Sequence, residues 1–335
     1  MQDRFGRTIE YLRVSVTDKC NLRCKYCMPA EGVERIGHEE LLTLEEMARV
    51  IRICSELGVR GVRFTGGEPL VRKNLERLIA DIHADTEITE LAITTNGMLL
   101  AEKLPALLDA GITAVNISLD TLNRTVFEQI TGVDGRDRVL EAVHAAVDAG
   151  LRTKINCVPC REWNAEGLEQ IAALARELPV DVRFIELMPV GCGKQFHGIG
   201  SGEVLAALES VFGKACAVSE KRGNGPAAYY SFRDFMGQIG FISPLSHQFC
   251  DSCNRIRLTA EGRLKLCLHY DTGIELKPLL RGGAADEQIR REIEAAVYKK
   301  PRAHSFLEQG TKEPGGEGTA AGEKADQRKM VQIGG

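Results

Sequence analysis

Cys20, Cys24 and Cys27 lie in the run CNLRCKYC, three thiols spaced CxxxCxxC just after a short apolar stretch. Soft sulfur ligands this close together suit iron, and three of them can hold three corners of a cubane 4Fe–4S cluster. The fourth iron then has no protein ligand and stays open to a small molecule. A structural zinc site wants four ligands and closure, whereas a catalytic metal keeps a position free. A zinc knuckle short of its fourth ligand, or three packed cysteines, are the alternatives for this triplet taken alone. Cys250 and Cys253 form a C-x2-C pair, and Cys267 follows after thirteen intervening residues. This second triplet again leaves one iron vacant, but His247 and His269 lie near enough in sequence for a closed Cys3His zinc site to compete. The segment CNRIRLT shifts the balance toward iron. Arg255 and Arg257, two apart on a strand, point the same way, and each offers a donor fork suited to phosphate.

At 335 residues the chain can form a large α/β domain and a smaller one. Its 43 basic and 47 acidic side chains nearly balance, which argues against a nucleic-acid partner or a membrane-surface sheet. Basic residues must therefore act by local clustering. The N-terminal run MQDRFGRTIEYL lacks a signal-peptide apolar core, and no apolar run approaches membrane-spanning length. A cytoplasmic protein is expected, and there eleven cysteines read as metal ligands and buried thiols rather than disulfides.

Strand-like and helix-like segments alternate from about residue 10 to residue 190. The strand candidates are Tyr11–Thr17, Val62–Thr65, Glu90–Asn96, Ala114–Asp120, Thr153–Val158 and Asp181–Pro189. Amphipathic stretches such as Leu44–Leu57 and Val139–Ala149 lie between them. Thr43 and Glu46 form a capping box before the first, and Gly58 and Gly150 sit where helices end. The pattern predicts a partial six-stranded, TIM-like (β/α)6 barrel over residues 1–210. Period-2 reading gives each strand one apolar face and one polar face. Arg13 with Ser15, Arg63 with Thr65, Thr94 with Asn96, Asn116 with Ser118 and Asp120, and Lys154 with Asn156 share the polar faces. An ordinary barrel fills its lumen with Val, Ile and Leu. Here the lumen should be open and hold a polar, anionic ligand. After about residue 210 short strand-like pieces with turns predict a small C-terminal α+β domain, residues 211–308, carrying the second cluster. Residues 309–335 read as a flexible Gly-rich tail, although Met330, Val331 and Ile333 offer apolar docking points near its end.

From Arg13 to the last residue the chain resembles the radical S-adenosylmethionine enzymes and, within them, the GTP 3′,8-cyclases that open molybdenum-cofactor biosynthesis. The motifs that carry the resemblance are CNLRCKYC, FTGGEP, TTNG, NISLD, TKIN, RFIELMPVG, CDSCNRIRLT with Cys267, and the terminal Gly334-Gly335. The resemblance implies two 4Fe–4S clusters: a cleaving cluster on Cys20, Cys24 and Cys27, and an auxiliary one on Cys250, Cys253 and Cys267. It further implies S-adenosylmethionine contacts at Tyr26, Gly67, Ser118 and Met188. GTP contacts are implied at Arg13, Arg63, Thr94, Lys154, Arg255, Ile256 and Arg257, with Arg183 a further candidate near the triphosphate. Gly334 and Gly335 would reach into the barrel and support the radical step. The reaction implied turns GTP into (8S)-3′,8-cyclo-7,8-dihydroguanosine 5′-triphosphate through a 5′-deoxyadenosyl radical. A flavodoxin- or ferredoxin-like electron donor, a downstream cyclic pyranopterin monophosphate synthase and a homodimer are implied as partners. A peptide-modifying radical enzyme, or a non-enzymatic iron–sulfur or zinc protein, are the competing classes.

Other residues read as unremarkable. Cys157 shares the outward face of its strand with Thr153 and Ile155 and should pack, while Cys160 lies beyond the strand and is expected to be exposed. Cys54, Cys192 and Cys216 have no partner pattern. Trp163 stands alone in a loop, and Glu186 is a candidate ion-pair partner for Arg183.

Overall fold

The structure, a computed structural model, describes residues 1–34, 36–220, 222–306 and 324–334. The alternation read from the sequence builds strands β1 (Tyr11–Ser15), β2 (Gly61–Thr65), β3 (Glu90–Thr95), β4 (Ala114–Ser118), β5 (Arg152–Cys157) and β6 (Asp181–Ile185). These six pair in sequence order and all run parallel. Helices α1 (Leu44–Glu56), α2 (Leu75–Asp85), α3 (Leu100–Asp109), α4 (Arg124–Thr131), α5 (Arg136–Asp148) and α6 (Leu168–Glu177) connect them. The strands' outward residues, among them Leu12, Val14, Phe64, Ile93, Ile117 and Phe184, are buried under those helices in one core. Helix α1 shows the local logic. Both halves of the Thr43–Glu46 capping box are made, and Met47, Val50, Ile51 and Cys54 bury the i, i+3, i+4, i+7 stripe. Gly58 then takes a positive φ of 97° to turn the chain into β2.

The later strands do not form a sheet of their own. Helix α7 (Ser201–Phe212) is followed by β7 (Cys216–Val218), β8 (Ala228–Ser231) and β9 (Ile239–Ile242), and β9 pairs parallel to β6. Strand β10 (Arg255–Leu258) pairs parallel to β1 at the other edge, with β11 (Arg263–Lys265) and β12 (Gly273–Glu275) antiparallel beyond it. The result is one twelve-stranded sheet whose central eight strands are parallel. An open parallel sheet leaves unpaired N–H and C=O groups on its first and last strands, and the C-terminal region satisfies both. Helices α8 (Lys277–Arg281) and α9 (Asp286–Tyr298) follow.

The last segment returns to the body of the molecule. Ala325 bridges to Tyr270, the Asp326 amide donates to the His269 carbonyl at 2.8 Å, and the Asp326 carboxylate pairs with buried Lys265. A short helix, α10 (Met330–Ile333), buries Val331 and Ile333, the latter against Val190 and Phe306. The expected docking of the apolar tail end is thus present. Residues 309–323 of the expected tail, and Gly335, lie outside the described residues. No helix among the described residues is long and apolar enough to cross a membrane.

Candidate active site

The inward faces of the strands surround a cavity of about 380 Å³, and all six cysteines of the two triplets line it. Their positions follow from the topology. The first triplet lies on the loop leaving the C-terminal end of β1. Cys253 lies one residue short of β10, whose first residue Arg255 is the register partner of Tyr11 at the start of β1. Cys267 follows antiparallel β11 back to that same end. The triplets therefore sit at opposite ends of the strands, separated by the length of β1, on the order of 16 Å from a rise of ~3.3 Å per residue.

The thiols differ in character. Burial pushes Cys27 up to about 12, with Cys20 beside it adding to the shift, and drives Cys24 well above the ordinary thiol range. Burial also pushes on Cys253, but Lys300, Arg255, an Arg255 amide bond and Arg7 outweigh it and bring it down to about 7. Metal ligation needs thiolates, so Cys253 is half-prepared and the first triplet needs a cation to hold its charge. Among the described residues no three His, Cys, Asp or Glu side chains converge tightly enough to grip a single ion. A four-iron cluster is bulkier than one ion, and its thiolates stand further apart. His304 supports that reading: it lines the cavity and its amide points at the Cys250 sulfur. A backbone donor aimed at a cysteine sulfur is the kind of contact that steadies a ligating thiolate. His247 is exposed, and His269 is buried against Phe306 and Tyr270 with Nε2 at 3.4 Å from Ser305 Oγ. Neither joins the cysteines in a single-ion site.

Between the triplets runs a cationic wall. Arg257 on β10, Arg13 on β1 and Arg63 on β2 are direct register partners on three adjacent strands, all facing the lumen. Burial, then the neighbouring Arg257 and Arg63, holds Arg13 well below the ordinary guanidinium range, and burial followed by Arg255 brings Arg257 down to about 10. Arg63 Nη1 completes no hydrogen bond. Arg183 also lines the cavity and grips Asn156 Oδ1 through Nε at 3.0 Å and Nη2 at 2.6 Å. Thr94 and Arg255 complete the expected wall. Two expected members stand apart from it. Lys154 does not line the cavity: its ammonium donates to the Arg222 carbonyl, in the loop before β8, at 2.9 Å and to the Tyr229 hydroxyl at 3.0 Å. Burial, then Arg183, lowers it to about 8. Ile256 is fully buried on the opposite, core-facing side of β10.

At the first triplet, Tyr26 donates its hydroxyl to Asp120 Oδ2 at 2.7 Å, and Asp120 also accepts the Val158 amide at 2.8 Å. Burial raises Asp120 to about 6. Trp163 is not alone: its ring lies 4.3 Å from Phe196 and 6.2 Å from Tyr26, an association between loops that spacing within one loop cannot reveal. Gly67, Ser118 and Met188 line the cavity. The sequence suggests that glycine at 67 admits a ligand, but a Cβ there would lie 2.3 Å from the Lys19 carbonyl oxygen. What requires glycine is the backbone of the cysteine loop, tied down by Glu68 N–H to Lys19 O at 2.8 Å. Glu68 is the member of that motif which sequence reasoning passed over. It accepts from the Asn96 amide at 2.7 Å, Thr95 Oγ1 at 2.8 Å and the Leu70 amide at 2.9 Å. The Asn96 side chain in turn sets Nδ2 3.8 Å from Cys20 Sγ. Gly334 reaches the lumen: its carbonyl accepts from Arg257 Nη1 at 2.7 Å, and a Cβ on it would meet Ser15 Cβ at 2.9 Å and Thr65 Oγ1 at 3.1 Å.

Two smaller expectations resolve differently. Cys157 is buried as expected, but Cys160 is buried too, at 0% exposure; its amide donates to buried Asn164 Oδ1 at 2.8 Å and its thiol to Glu162 Oε2 at 2.8 Å. Glu186 does not pair with Arg183. It accepts the Leu245 and Ser246 amides at 2.9 and 3.1 Å.

Comparison with known proteins agrees with this architecture. Residues 14–175 match the Radical SAM superfamily model, and residues 180–306 match the Molybdenum Cofactor Synthesis C model. A curated relative from Clostridium perfringens (strain 13 / Type A), named GTP 3′,8-cyclase, is 44% identical over 91% of this chain and 95% of its own length. One of the same name from Pelotomaculum thermopropionicum is 42% identical over the whole of both chains. Among solved structures, Streptococcus suis SuiB bound to S-adenosylmethionine superimposes with a TM-score of 0.61 at 17% identity, covering 85% of this chain and 68% of that one, a likeness of fold. The chain belongs to the GTP 3′,8-cyclase family of radical S-adenosylmethionine enzymes.

Proposed function

We propose that this chain converts GTP into (8S)-3′,8-cyclo-7,8-dihydroguanosine 5′-triphosphate, the first step of molybdenum-cofactor biosynthesis. The observation that carries the reading is the register-aligned arginine wall running between two cysteine triplets at opposite ends of one cavity. Like charges directly opposite on neighbouring strands repel, and a triphosphate among them turns that cost into attraction. A reduced 4Fe–4S cluster bound by Cys20, Cys24 and Cys27 would supply the electron that splits S-adenosylmethionine, giving the 5′-deoxyadenosyl radical that takes the C3′ hydrogen. Tyr26, Gly67, Ser118 and Met188 would border that cofactor. Cys250, Cys253 and Cys267 would hold the auxiliary cluster at the far end, against the guanine edge. Arg13, Arg63, Arg183, Arg255 and Arg257 would fix the triphosphate, and two anchored ends align C3′ with C8. Gly334, with Gly335 after it, would close the lumen against water and side reactions. The hydrogen leaves C3′, the C3′–C8 bond forms, and one electron and one proton complete the product, which is isomeric with GTP.

The same proposal includes a flavodoxin- or ferredoxin-like electron donor, delivery to cyclic pyranopterin monophosphate synthase, a homodimer and residence in the cytoplasm. Anaerobic cluster reconstitution followed by dithionite, S-adenosylmethionine and GTP tests the core of it. The expected outcome is one 5′-deoxyadenosine per cyclised nucleotide, read by mass spectrometry after hydrolysis. Deoxyadenosine formed with GTP unchanged, or cyclisation of a peptide instead, would defeat the reading.

A further inference from the structure

None of the sequence motifs gave a role to the residues before β1, yet Arg7 is deeply engaged. Its side chain is 6% exposed and its partner Asp3 is 0% exposed, with Nε 2.5 Å from Oδ2. Asp3 is itself held in a tight turn, its Oδ1 accepting the Phe5 amide at 2.9 Å and the Arg7 amide at 3.0 Å. The rest of the guanidinium faces two segments far away in sequence. Nη1 donates to the Cys250 carbonyl and the Arg302 carbonyl, both at 2.7 Å, and Nη2 donates to the Pro301 carbonyl at 2.6 Å. Those segments carry the parts of the second metal site: Cys250 on one, Lys300 and His304 flanking the other. Lys300 is buried, donates to the Arg255 carbonyl at 2.9 Å and to the Leu266 carbonyl, and lines the cavity beside His304.

A buried ion pair is weak evidence for stability, because desolvation offsets most of the attraction. What a guanidinium supplies that apolar packing cannot is a rigid fork that joins several carbonyl groups at fixed spacing. We propose that Arg7, locked by Asp3, is a positioning residue for the auxiliary cluster: it fixes the gap between the Cys250 loop and the 300–304 wall, so that the three thiolates meet the cluster while Lys300 and His304 enclose it. The inference rests on the proposed function, which assigns that cluster to the second triplet. Lysine keeps the charge but not the fork, and so cannot tie the two segments together.

The test uses the full chain with Arg7→Lys and, separately, the isosteric Asp3→Asn, each reconstituted anaerobically beside wild type. Iron, labile sulfide, the electron paramagnetic resonance signals with and without GTP, and S-adenosylmethionine cleavage without GTP are measured. The expected result is a fall from about eight irons per chain to about four. The auxiliary signal and its response to GTP should vanish while uncoupled S-adenosylmethionine cleavage stays within about twofold of wild type, the signature of one lost site. Eight irons and an unchanged GTP response in both variants would overturn the inference. So would equal loss of both clusters or insolubility of both variants, which would make the pair a general stabiliser. A wild-type chain that holds only four irons would instead defeat the two-cluster reading itself, whatever the variants do.

Discussion

In the arginine row, Arg63 has Nε on the Tyr11 hydroxyl and Nη2 3.5 Å from Glu90, while its Nη1 completes no hydrogen bond. Arg63→Ala should weaken GTP binding by about 1.5–3 kcal/mol, or about 10- to 150-fold, the worth of one charge-assisted contact. The unliganded protein should keep its melting temperature or melt higher, because the substitution relieves repulsion within the row. Isothermal titration with GTP and a thermal melt check both halves; unchanged GTP affinity would remove Arg63 from the substrate wall. These arginines were legible in the sequence because strand period alone assigns them a face. Trp163 and Cys160 were misread for the opposite reason. Their partners, Phe196 and Glu162, are set by loop paths, and no periodicity describes those. Strand period puts Lys154 on the inward face, but the Arg222 carbonyl that occupies it belongs to the loop before β8, which has no repeating pattern.

The C-terminal segment is held by a charge cluster at its root and by shape at its tip. Asp326 faces Lys265 on β11 and Arg328 at 2.8 Å. Burial works against its carboxylate, but Arg328 and Lys265 overcome this and bring it down to about 2. A carboxylate depressed on folding adds stability above its unfolded value, near 4, and loses that contribution as pH falls from about 4 to about 2. Hydrogen exchange at the Met330–Ile333 amides, corrected for intrinsic rate, should therefore accelerate across that window in wild type. In Asp326→Asn it should already be faster at pH 7, by at least about 100-fold if the broken buried pair costs about 3–5 kcal/mol. Slow exchange in the variant would show that apolar docking alone holds the segment. At the tip, Gly334 has φ of 81°, and its missing Cβ leaves room for Ser15 and Thr65. Gly334→Ala should lower product yield by about 5- to 150-fold through strain and displacement, worth roughly 1–3 kcal/mol, with both clusters intact. Wild-type yield would return the tip to a passive role. The apolar spacing of Met330, Val331 and Ile333 announced the docking in the sequence, but the acid that anchors it did not, because its partner lies some sixty residues upstream.

At the scale of the whole molecule, two cysteine triplets line opposite ends of one cavity, and on the proposed function the chain should carry about eight irons when fully loaded. Replacing Cys250, Cys253 and Cys267 together by Ala should halve that number and leave S-adenosylmethionine cleavage in place. Zinc retained one per chain by those cysteines, beside four irons, would favour a structural zinc site instead. The six central strands were legible because each carries its own alternation and each is followed by an amphipathic helix. The way the C-terminal strands close both sheet edges was not, because β9 and β10 find their partners by long-range pairing that local pattern does not encode. That closure has a consequence for how the protein is born. Tyr11 pairs with Arg255, and about 240 residues of synthesis separate them, or roughly 12–50 s at ribosomal speeds. Throughout that interval the first strand leaves the ribosome with a bare edge, the kind of template on which neighbouring chains pair wrongly. A chain ended after residue 210 keeps β1 to β6 but neither edge partner and should still aggregate, while the second cysteine triplet is complete only once Cys267 has been made.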